Sequence, residues 1–195
     1  MTELIAGRGR AAGATFAGIV LAGGAARRMS GVDKPELVVR GTSLLGRALA
    51  ALAGGRPLVV VGPRRAGYAG VVWAREPVPG TGPVAALATG LESVRDSRVT
   101  VLLAGDLPGV GTSTVDRLRG ALGADVDGAV LVDAAGERQW LTGAWRTAAL
   151  RAALPVQPEN RSLRRTLGTL RIAEVPAEPG EADDIDTPED WARYR

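Results

Sequence analysis

Continuous runs of apolar, β-forming residues constrain the fold of this chain more than any other feature of its sequence. Segments with a helical pattern separate them, so strand and helix alternate along most of the chain. Because the runs are continuous rather than alternating with polar residues, they are typical of strands buried on both faces of a parallel sheet. The predicted strands are Phe16–Gly24, Pro57–Pro63, Gly70–Ala74, Val99–Asp106 and Gly128–Val132, and the predicted helices are Ser43–Ala53, Pro83–Val94, Ser113–Leu122 and Thr147–Leu154. This order predicts an α/β fold with a mostly parallel central sheet and helices on both faces.

The C-terminal third of the chain is less regular. "SLRRTLGTL" predicts a helix over Ser162–Leu170, and "RIAEV" predicts a strand over Arg171–Val175. A polar, acidic loop then leads into a helix at "TPEDWARY". With 195 residues, the chain has the length of one ordinary domain. We therefore expect a single domain over residues 15–195, preceded by a flexible tail over residues 1–14.

Composition excludes several classes of function. The chain has no histidine and no cysteine, which rules out disulfides, thiolate nucleophiles and catalytic pairs built on histidine. Its net charge of +3, without a run of like charges, does not indicate nucleic-acid binding. No apolar stretch approaches the roughly 20 residues of a membrane span, and the N-terminus does not have the pattern of a signal peptide. We therefore expect a cytoplasmic protein without a membrane partner. The reactive groups left without histidine and cysteine are carboxylates, one lysine, hydroxyls and backbone amides, and these favour phosphate chemistry.

The long connection from Gly24 to Thr42 is the first candidate binding loop, because it far exceeds a usual βα loop. It follows the buried strand "IVLA" through Gly23 and Gly24, where positive φ angles would let a ligand approach the backbone amides. Arg28 and Lys34 come next, so the loop is a plausible cradle for a polyphosphate. A glycine turn with solvated arginines explains the same residues, and the residues alone leave both interpretations open.

Lys34 stands out within this loop. It is the only lysine in a chain whose other 23 basic residues, 24 less one, are arginines. In a chain this rich in arginine, a lysine that arginine could replace would be expected to be an arginine. Position 34 therefore favours the compact ammonium group of lysine over the planar guanidinium group of arginine. A lysine that bridges oxygens of adjacent phosphates fits this requirement, and a chance surface lysine is the alternative.

Acidic side chains and a second glycine loop are further candidates. Asp106 directly follows the buried strand "VTVLLAGD", at the sheet edge where α/β proteins bind ligands. The carboxylate oxygens of Asp106 are ligands of the kind that Mg²⁺ prefers. Alternatively, Asp106 could cap the helix that follows it. An acidic cluster precedes the last helix, and it consists of Asp183, Asp184 and Asp186. Asp186 or Thr187 suits the N-cap of that helix, and a second metal ligand at Asp186 is the alternative. Gly82 precedes a proline that fits the start of a helix, where free amides could meet a base, a ribose or an anion.

"LAGGAARRMSGVDKPEL" resembles the signature L-A-G-G-x-x-x-R-M-x-G-x-D-K-x-x-L of the molybdenum cofactor guanylyltransferases. The segments "GTSLLGRAL", "GTGPVAAL", "AGDLP" and "DIDTPEDW" resemble later motifs of the same family, so the likeness runs from about Phe16 to Trp191. The resemblance implies a three-layer, Rossmann-like nucleotidyltransferase fold. It also implies Mg²⁺-dependent transfer of GMP from GTP to the phosphate of molybdopterin, a phosphorylated pterin, with release of pyrophosphate.

The same resemblance implies roles for individual residues. Leu21, Ala22 and Gly23 would hold the guanine nucleotide through backbone contacts, Lys34 would contact phosphates, and Asp106 would bind Mg²⁺. The matched positions that complete the expected site are Arg28 as a catalytic cation, Gly24, Glu76 and Gly82 around the nucleotide, and Asp186 at the metal.

Departures from the family pattern leave alternatives open. Asp184 and Asp186 stand where the family has asparagines, and Glu76 stands where it has an aspartate. Added carboxylates strengthen metal binding and weaken contact with an anionic pterin phosphate. These departures therefore leave open which nucleotide base and which acceptor are used, more than they affect the fold. The alternatives are a related nucleotidyltransferase that uses CTP or a sugar-phosphate acceptor, and a member that binds nucleotide without turnover. Partner proteins that deliver or receive the cofactor are also compatible with the resemblance.

Overall fold

The computed structural model describes residues 16–23 and 32–194, and the predicted tail over residues 1–14 lies outside them. The strands are β1 (Phe16–Leu21), β2 (Val38–Val39), β3 (Thr42–Ser43), β4 (Leu58–Val61), β5 (Val71–Ala74), β6 (Val99–Ala104), β7 (Gly128–Val132), β8 (Arg138–Arg146) and β9 (Ile172–Pro176). The helices are α1 (Leu44–Ala51), α2 (Pro83–Glu92), α3 (Thr112–Gly120), α4 (Thr147–Ala153), α5 (Leu163–Leu167) and α6 (Pro188–Arg193), with a short 3-10 helix at Lys34–Glu36.

Within the described residues, seven strands form one sheet in the order β5-β4-β1-β6-β8-β7-β9. The central strand β1 pairs in parallel with β4 and β6, and β5 continues this parallel arrangement. Strand β8 is antiparallel to both of its neighbours, whereas β9 is parallel to β7. The carboxyl ends of β4, β1 and β6 therefore meet at one edge of the sheet, as the predicted mostly parallel sheet requires.

Two hydrophobic cores lie on opposite faces of this sheet. Helices α1 and α3 cover one face through residues such as Leu45 and Leu118, and α2, α4 and α5 cover the other. Strand β1 serves both cores, because Val20 belongs to the first and its neighbour Ile19 to the second. A strand buried on both faces needs apolar residues at consecutive positions, which explains the continuous run "FAGIVL". The predicted three-layer arrangement is confirmed.

Two elements were not predicted from the sequence. The hairpin of β2 and β3 lies within the long first connection, and β8 interposes an antiparallel strand between β6 and β7. Polar residues at the start of β8 break the apolar run, since that half of the strand is only partly buried. A turn signal precedes it: Asp133 Oδ1 accepts hydrogen bonds from the amides of Ala135 and Glu137, each at 2.9 Å, and Gly136 has a φ of 83°. Asp and Gly at these positions are typical of turns.

Across the described part of the chain, none of the helices is both long enough and apolar enough to pass through a bilayer.

Candidate active site

The chain leaves β1 at a crowded point of the sheet edge. The Ala22 amide donates to the Val61 carbonyl at 2.9 Å, and the Ala22 carbonyl accepts from Arg65 Nη2 at 3.2 Å. The Leu21 carbonyl accepts from the Gly105 amide at 2.9 Å. Because each carbonyl keeps a second lone pair, both carbonyls can still contact a ligand, whereas the Ala22 amide is already engaged.

Glycines let the backbone segments approach each other here. A Cβ on Gly62, whose φ is 149°, would lie 2.7 Å from the carbonyl carbon and oxygen of Ala22, so a side chain at this position would force β1 and β4 apart. Gly23 has a φ outside the left-handed region, so the positive φ predicted there is wrong. Its α-carbon instead lies against β4 and Glu76, since a Cβ on it would make ordinary contacts, 3.5 Å from the Gly62 α-carbon and 3.6 Å from Glu76 Oε2. The predicted site residues Gly24 and Arg28 lie outside the described residues.

Lys34 lies at the start of the 3-10 helix and points toward the C-terminal segment. Its Nζ donates to Asp186 Oδ1 at 2.5 Å, and its side chain is 14% exposed. A partly buried ammonium beside a carboxylate is held in place more firmly than a solvated one. The two residues are far apart in sequence, so only the tertiary structure brings these predicted site residues together.

Arg65 contacts both the end of β1 and the middle of the first candidate loop. It forks onto Asp33, with Nε donating to Oδ2 at 2.8 Å and Nη2 donating to Oδ1 at 2.6 Å. The same Nη2 reaches the Ala22 carbonyl, and the side chain is 8% exposed. A bidentate guanidinium–carboxylate pair fixes both distance and orientation. Arg65 therefore joins the end of β1 to the residue that precedes Lys34.

A small hydrophobic cluster positions the acidic C-terminal segment. Ile185, fully buried, packs with Leu37, Val39 and Leu44, with Trp191 partly buried at its side. The indole nitrogen of Trp191 also donates to the Val38 carbonyl at 3.1 Å. Since Ile185 lies between Asp184 and Asp186, burying it fixes both carboxylates beside the hairpin that follows Lys34.

Glu181 anchors the same segment to α3. Its carboxylate accepts from Thr114 Oγ1 at 2.5 Å and from Arg117 Nη1 and Nη2 at 2.9 and 2.8 Å. Burial alone would raise the pKa of Glu181, but these hydrogen bonds and the one from the Glu178 amide outweigh it and hold the pKa below its usual value. The anchor lies close to a tight backbone contact, because a Cβ on Gly109 would lie 2.1 Å from the Gly180 carbonyl oxygen.

Asp106 lies where these elements converge. Burial raises its pKa above the ordinary value, the Asp184 and Asp186 carboxylates raise it further, and the Lys34 ammonium opposes the shift. Burial and the Asp186 carboxylate likewise raise the pKa of Asp184. Three carboxylates thus repel one another with one ammonium among them, and a divalent cation would relieve this repulsion.

The acidic residues fit a metal that arrives with a substrate. Within residues 16–23 and 32–194, no three acidic side chains converge closely enough to hold a metal ion by themselves. Mg²⁺ is ordinarily bound by one or two carboxylates together with substrate phosphates rather than by an all-protein cage. Asp106 with Asp186 suits that mode of binding.

Glu76 and Gly82 lie along the continuation of the same edge. Glu76 is 9% exposed, and burial raises its pKa, against the effect of a hydrogen bond with Thr81. Gly82 is the N-cap of α2 with a φ of 101°, and a Cβ on it would lie 3.7 Å from the backbone of Asn160. Glu76 thus adjoins Gly23, whereas Gly82 borders a separate cavity on the α2 side of the sheet.

The sequence reasoning missed several residues that shape this site. These residues hold the predicted site residues in place, and they are Arg65, Asp33, Gly62, Gly109 and Glu181. A local signal existed for Gly62, which directly follows the apolar strand β4 at the binding edge, and for Arg65, which comes three residues later in the same loop. Gly109 and Glu181 had none, since their contacts join distant parts of the chain.

Fold and site together define a class of protein: a Rossmann-like α/β protein that gathers an ammonium group and several carboxylates at the carboxyl edge of its sheet. The family model of the MobA-like NTP transferase domain matches residues 18–175. This chain therefore belongs to the MobA-like NTP transferase family. It is 33% identical over 170 residues to a molybdenum cofactor guanylyltransferase of Bradyrhizobium sp. (strain ORS 278), an alignment that covers 81% of this chain and 80% of that protein.

Solved structures share the fold. A molybdopterin-guanine dinucleotide biosynthesis protein A from Archaeoglobus fulgidus superposes with a TM-score of 0.66 at 22% identity, covering 91% of this chain and 95% of that one. A Mycobacterium tuberculosis H37Rv protein, crystallised in complex with manganese, superposes with a TM-score of 0.69 at 22% identity, covering 92% and 97%. These likenesses confirm the predicted nucleotidyltransferase-type fold.

Proposed function

We propose that this chain is a nucleotidyltransferase that moves GMP from GTP to the phosphate of molybdopterin and releases pyrophosphate. The observation that carries the proposal is the convergence of Lys34, Asp106 and Asp186 at the carboxyl edge of the sheet, in a chain that belongs to the MobA-like NTP transferase family. The identity with the Bradyrhizobium guanylyltransferase supports guanine as the base and the pterin as the acceptor.

The reaction needs no general base. An oxygen of the acceptor phosphate attacks the α-phosphorus of GTP, the bond from that phosphorus to the bridging oxygen breaks, and pyrophosphate leaves with the electron pair. A phosphate monoester has a second pKa of about 6 and is therefore largely ionised at neutral pH. Catalysis then rests on positioning and on neutralising charge, which agrees with a chain that has no histidine.

Lys34 supplies the positive charge that would contact the phosphates. Its ammonium pairs with Asp186 in the protein alone, and on nucleotide binding it would exchange this partner for phosphate oxygens. The preceding residue is clamped by Arg65, so the ammonium would reach the phosphates from a fixed backbone. Such preorganised charge stabilises the negative charge that builds up in the transition state.

Asp106 and Asp186 would hold a divalent metal. When bound, the metal neutralises charge on the phosphates and on the leaving pyrophosphate. We assign Mg²⁺ to this position, and the manganese complex of the Mycobacterium tuberculosis neighbour supports a divalent ion of this kind. The nucleotide would lie along Leu21, Ala22, Gly23, Glu76 and Gly82, with Gly24 and Arg28 as further proposed contacts.

Thermal unfolding with each of GTP, CTP, UTP and ATP, with Mg²⁺ or with a chelator, tests the nucleotide half of the proposal. A ligand at 100 times its Kd adds about 2.7 kcal/mol, which raises the Tm of a chain of this length by roughly 5–11 °C. We expect that rise with GTP and Mg²⁺ only, and its loss in Asp106→Asn, which keeps the shape of the side chain but removes its charge.

Transfer itself is measured as pyrophosphate release from GTP that depends on molybdopterin. A Tm rise with CTP in place of GTP would reassign the base. Binding of GTP without any release of pyrophosphate would contradict the enzymatic proposal and favour a member that binds nucleotide without turnover.

A further inference from the structure

A cavity of about 550 Å³ lies on the α2 side of the sheet, between the start of α2, the first half of β8 and the loop that enters α5. Its volume falls within the range of small-molecule sites, about 300–1,000 Å³. The lining combines an indole, Trp140, with three guanidinium groups, those of Arg138, Arg161 and Arg164. No acidic residue lines it among the described residues, so the charged groups of the lining are all positive.

Two of the three guanidinium groups are available to a ligand. Arg138 donates to Glu174 at 2.7 Å and lies 5.8 Å from the centre of the Trp140 ring. Arg161 and Arg164 are exposed, and neither pairs with a carboxylate in the described part of the chain. Within residues 16–23 and 32–194, the hydrogen bond of Arg161 is a long one, 3.4 Å from Nε to the Gln157 carbonyl. Unpaired arginines beside an indole can bind an anionic group and stack on a planar ring.

The cavity opens at the same sheet edge as Asp106. Strand β8 pairs antiparallel with β6, and the last paired residues are Leu102 and Gly143. The half of β8 that lines the cavity, from Arg138 to Leu141, therefore lies beyond the last paired residues, toward the carboxyl end of β6 at Ala104, after which the chain leads to Asp106. Gly82, the N-cap of α2, is among the residues that line this cavity.

We propose that this cavity binds the body of the acceptor, a planar heterocycle with anionic substituents, through Trp140 and the guanidinium groups of Arg161 and Arg164. The ring lies against the indole, the arginines hold the anionic substituents, and the phosphate of the acceptor extends toward Lys34 and Asp106. The assignment rests on the proposed function, because it names the subsite for the second substrate of that reaction. It assigns to the arginines the acceptor contacts that Asp184 and Asp186, as carboxylates, cannot make with an anion.

Direct binding tests this subsite without turnover. The probe is pterin-6-carboxylate, a planar, anionic and fluorescent heterocycle, whose anisotropy rises when it binds the full chain. The test variant is the double substitution Arg161→Gln with Arg164→Gln, and the control is Arg165→Gln, a neighbouring exposed arginine of α5 that does not line the cavity. We expect binding by wild type and by the control, and an affinity at least about 10-fold lower in the double variant, the loss that one charge-assisted contact typically carries.

The same variants show whether the cavity serves the acceptor or the nucleotide. The GTP-dependent rise in Tm is expected to be equal in wild type, control and double variant. Equal pterin affinity in wild type and double variant, absence of binding by wild type, or loss of the GTP-dependent rise in the double variant would each overturn the assignment. If the double variant does not fold, Arg161→Gln alone gives the same comparison. Failure of the proposed function is a separate result, since it appears as a wild-type chain without any response to GTP.

Discussion

Replacing Gly109 with alanine tests whether the C-terminal segment positions the acidic residues of the site. A Cβ on Gly109 would lie 2.1 Å from the carbonyl oxygen of Gly180, 2.4 Å from its carbonyl carbon and 2.9 Å from the Glu181 amide nitrogen. All three are backbone atoms, so no rotation of a side chain can relieve the contact. The φ of Gly109 is outside the left-handed region, so alanine suits the local backbone and the contact alone decides the outcome.

The size of the effect follows from these distances. Ordinary contact begins near 3.4 Å, so the two segments must separate by about 1.3 Å, the difference between 3.4 and 2.1 Å. Overpacking of this kind costs about 1–3 kcal/mol, which lowers the Tm by roughly 2–12 °C in a chain of this length. Since the Gly180 segment leads directly to Asp184 and Asp186, their carboxylates move relative to Asp106. A misplacement of about 1 Å can cost 10²-fold in rate, so we expect kcat/KM to fall about 100-fold.

The assay combines thermal unfolding with molybdopterin-dependent release of pyrophosphate from GTP. Gly120→Ala is the matched control, because no atom of the described residues outside its own helix lies within 4 Å of a Cβ at that position and its φ is also outside the left-handed region. Wild-type Tm and wild-type kcat/KM in Gly109→Ala would refute the argument that this backbone contact aligns the carboxylates. A lower Tm with unchanged kcat/KM would limit its role to stability.

Three other substitutions probe the site. Lys34→Arg keeps the charge but spreads it over a planar fork, and we expect kcat to fall by about 10²–10³; a wild-type kcat would show that sign alone matters. Arg65→Lys cannot fork onto Asp33, so we expect a fall in kcat of about 10-fold from loss of one charge-assisted contact, and full activity would contradict the clamp. Glu181→Gln loses the pairing with Arg117. Because the folded-state pKa of Glu181 is lowered, the extra stability of wild type over this variant is complete above about pH 4.5 and shrinks as the pH falls below it. Urea unfolding from pH 3 to pH 7 measures this difference, and a constant difference would refute it.

Much of the fold was predictable because its elements are specified locally. A strand buried on both faces requires consecutive apolar residues, and "IVLA" and "VTVLLA" carry that requirement in their own sequence. Strand β8 lacked this signal, because its partly exposed first half includes Arg138 and Gln139. Its antiparallel pairing with β6 depends on contacts between segments that are far apart in the sequence, and no local pattern specifies such contacts.

The sequence by itself determined the class of chemistry and the main candidate residues. The absence of histidine, the single lysine and the aspartate after a buried strand each follow from residue type and position. The tertiary structure alone decided that Lys34 meets Asp186 at 2.5 Å, that Arg65 clamps Asp33, and that Gly109 lies against Gly180. These contacts join segments that lie far apart along the chain, and their geometry depends on how the hairpin, the sheet edge and the C-terminal segment pack together. Local sequence specifies which groups are present, whereas packing fixes the distances through which they act.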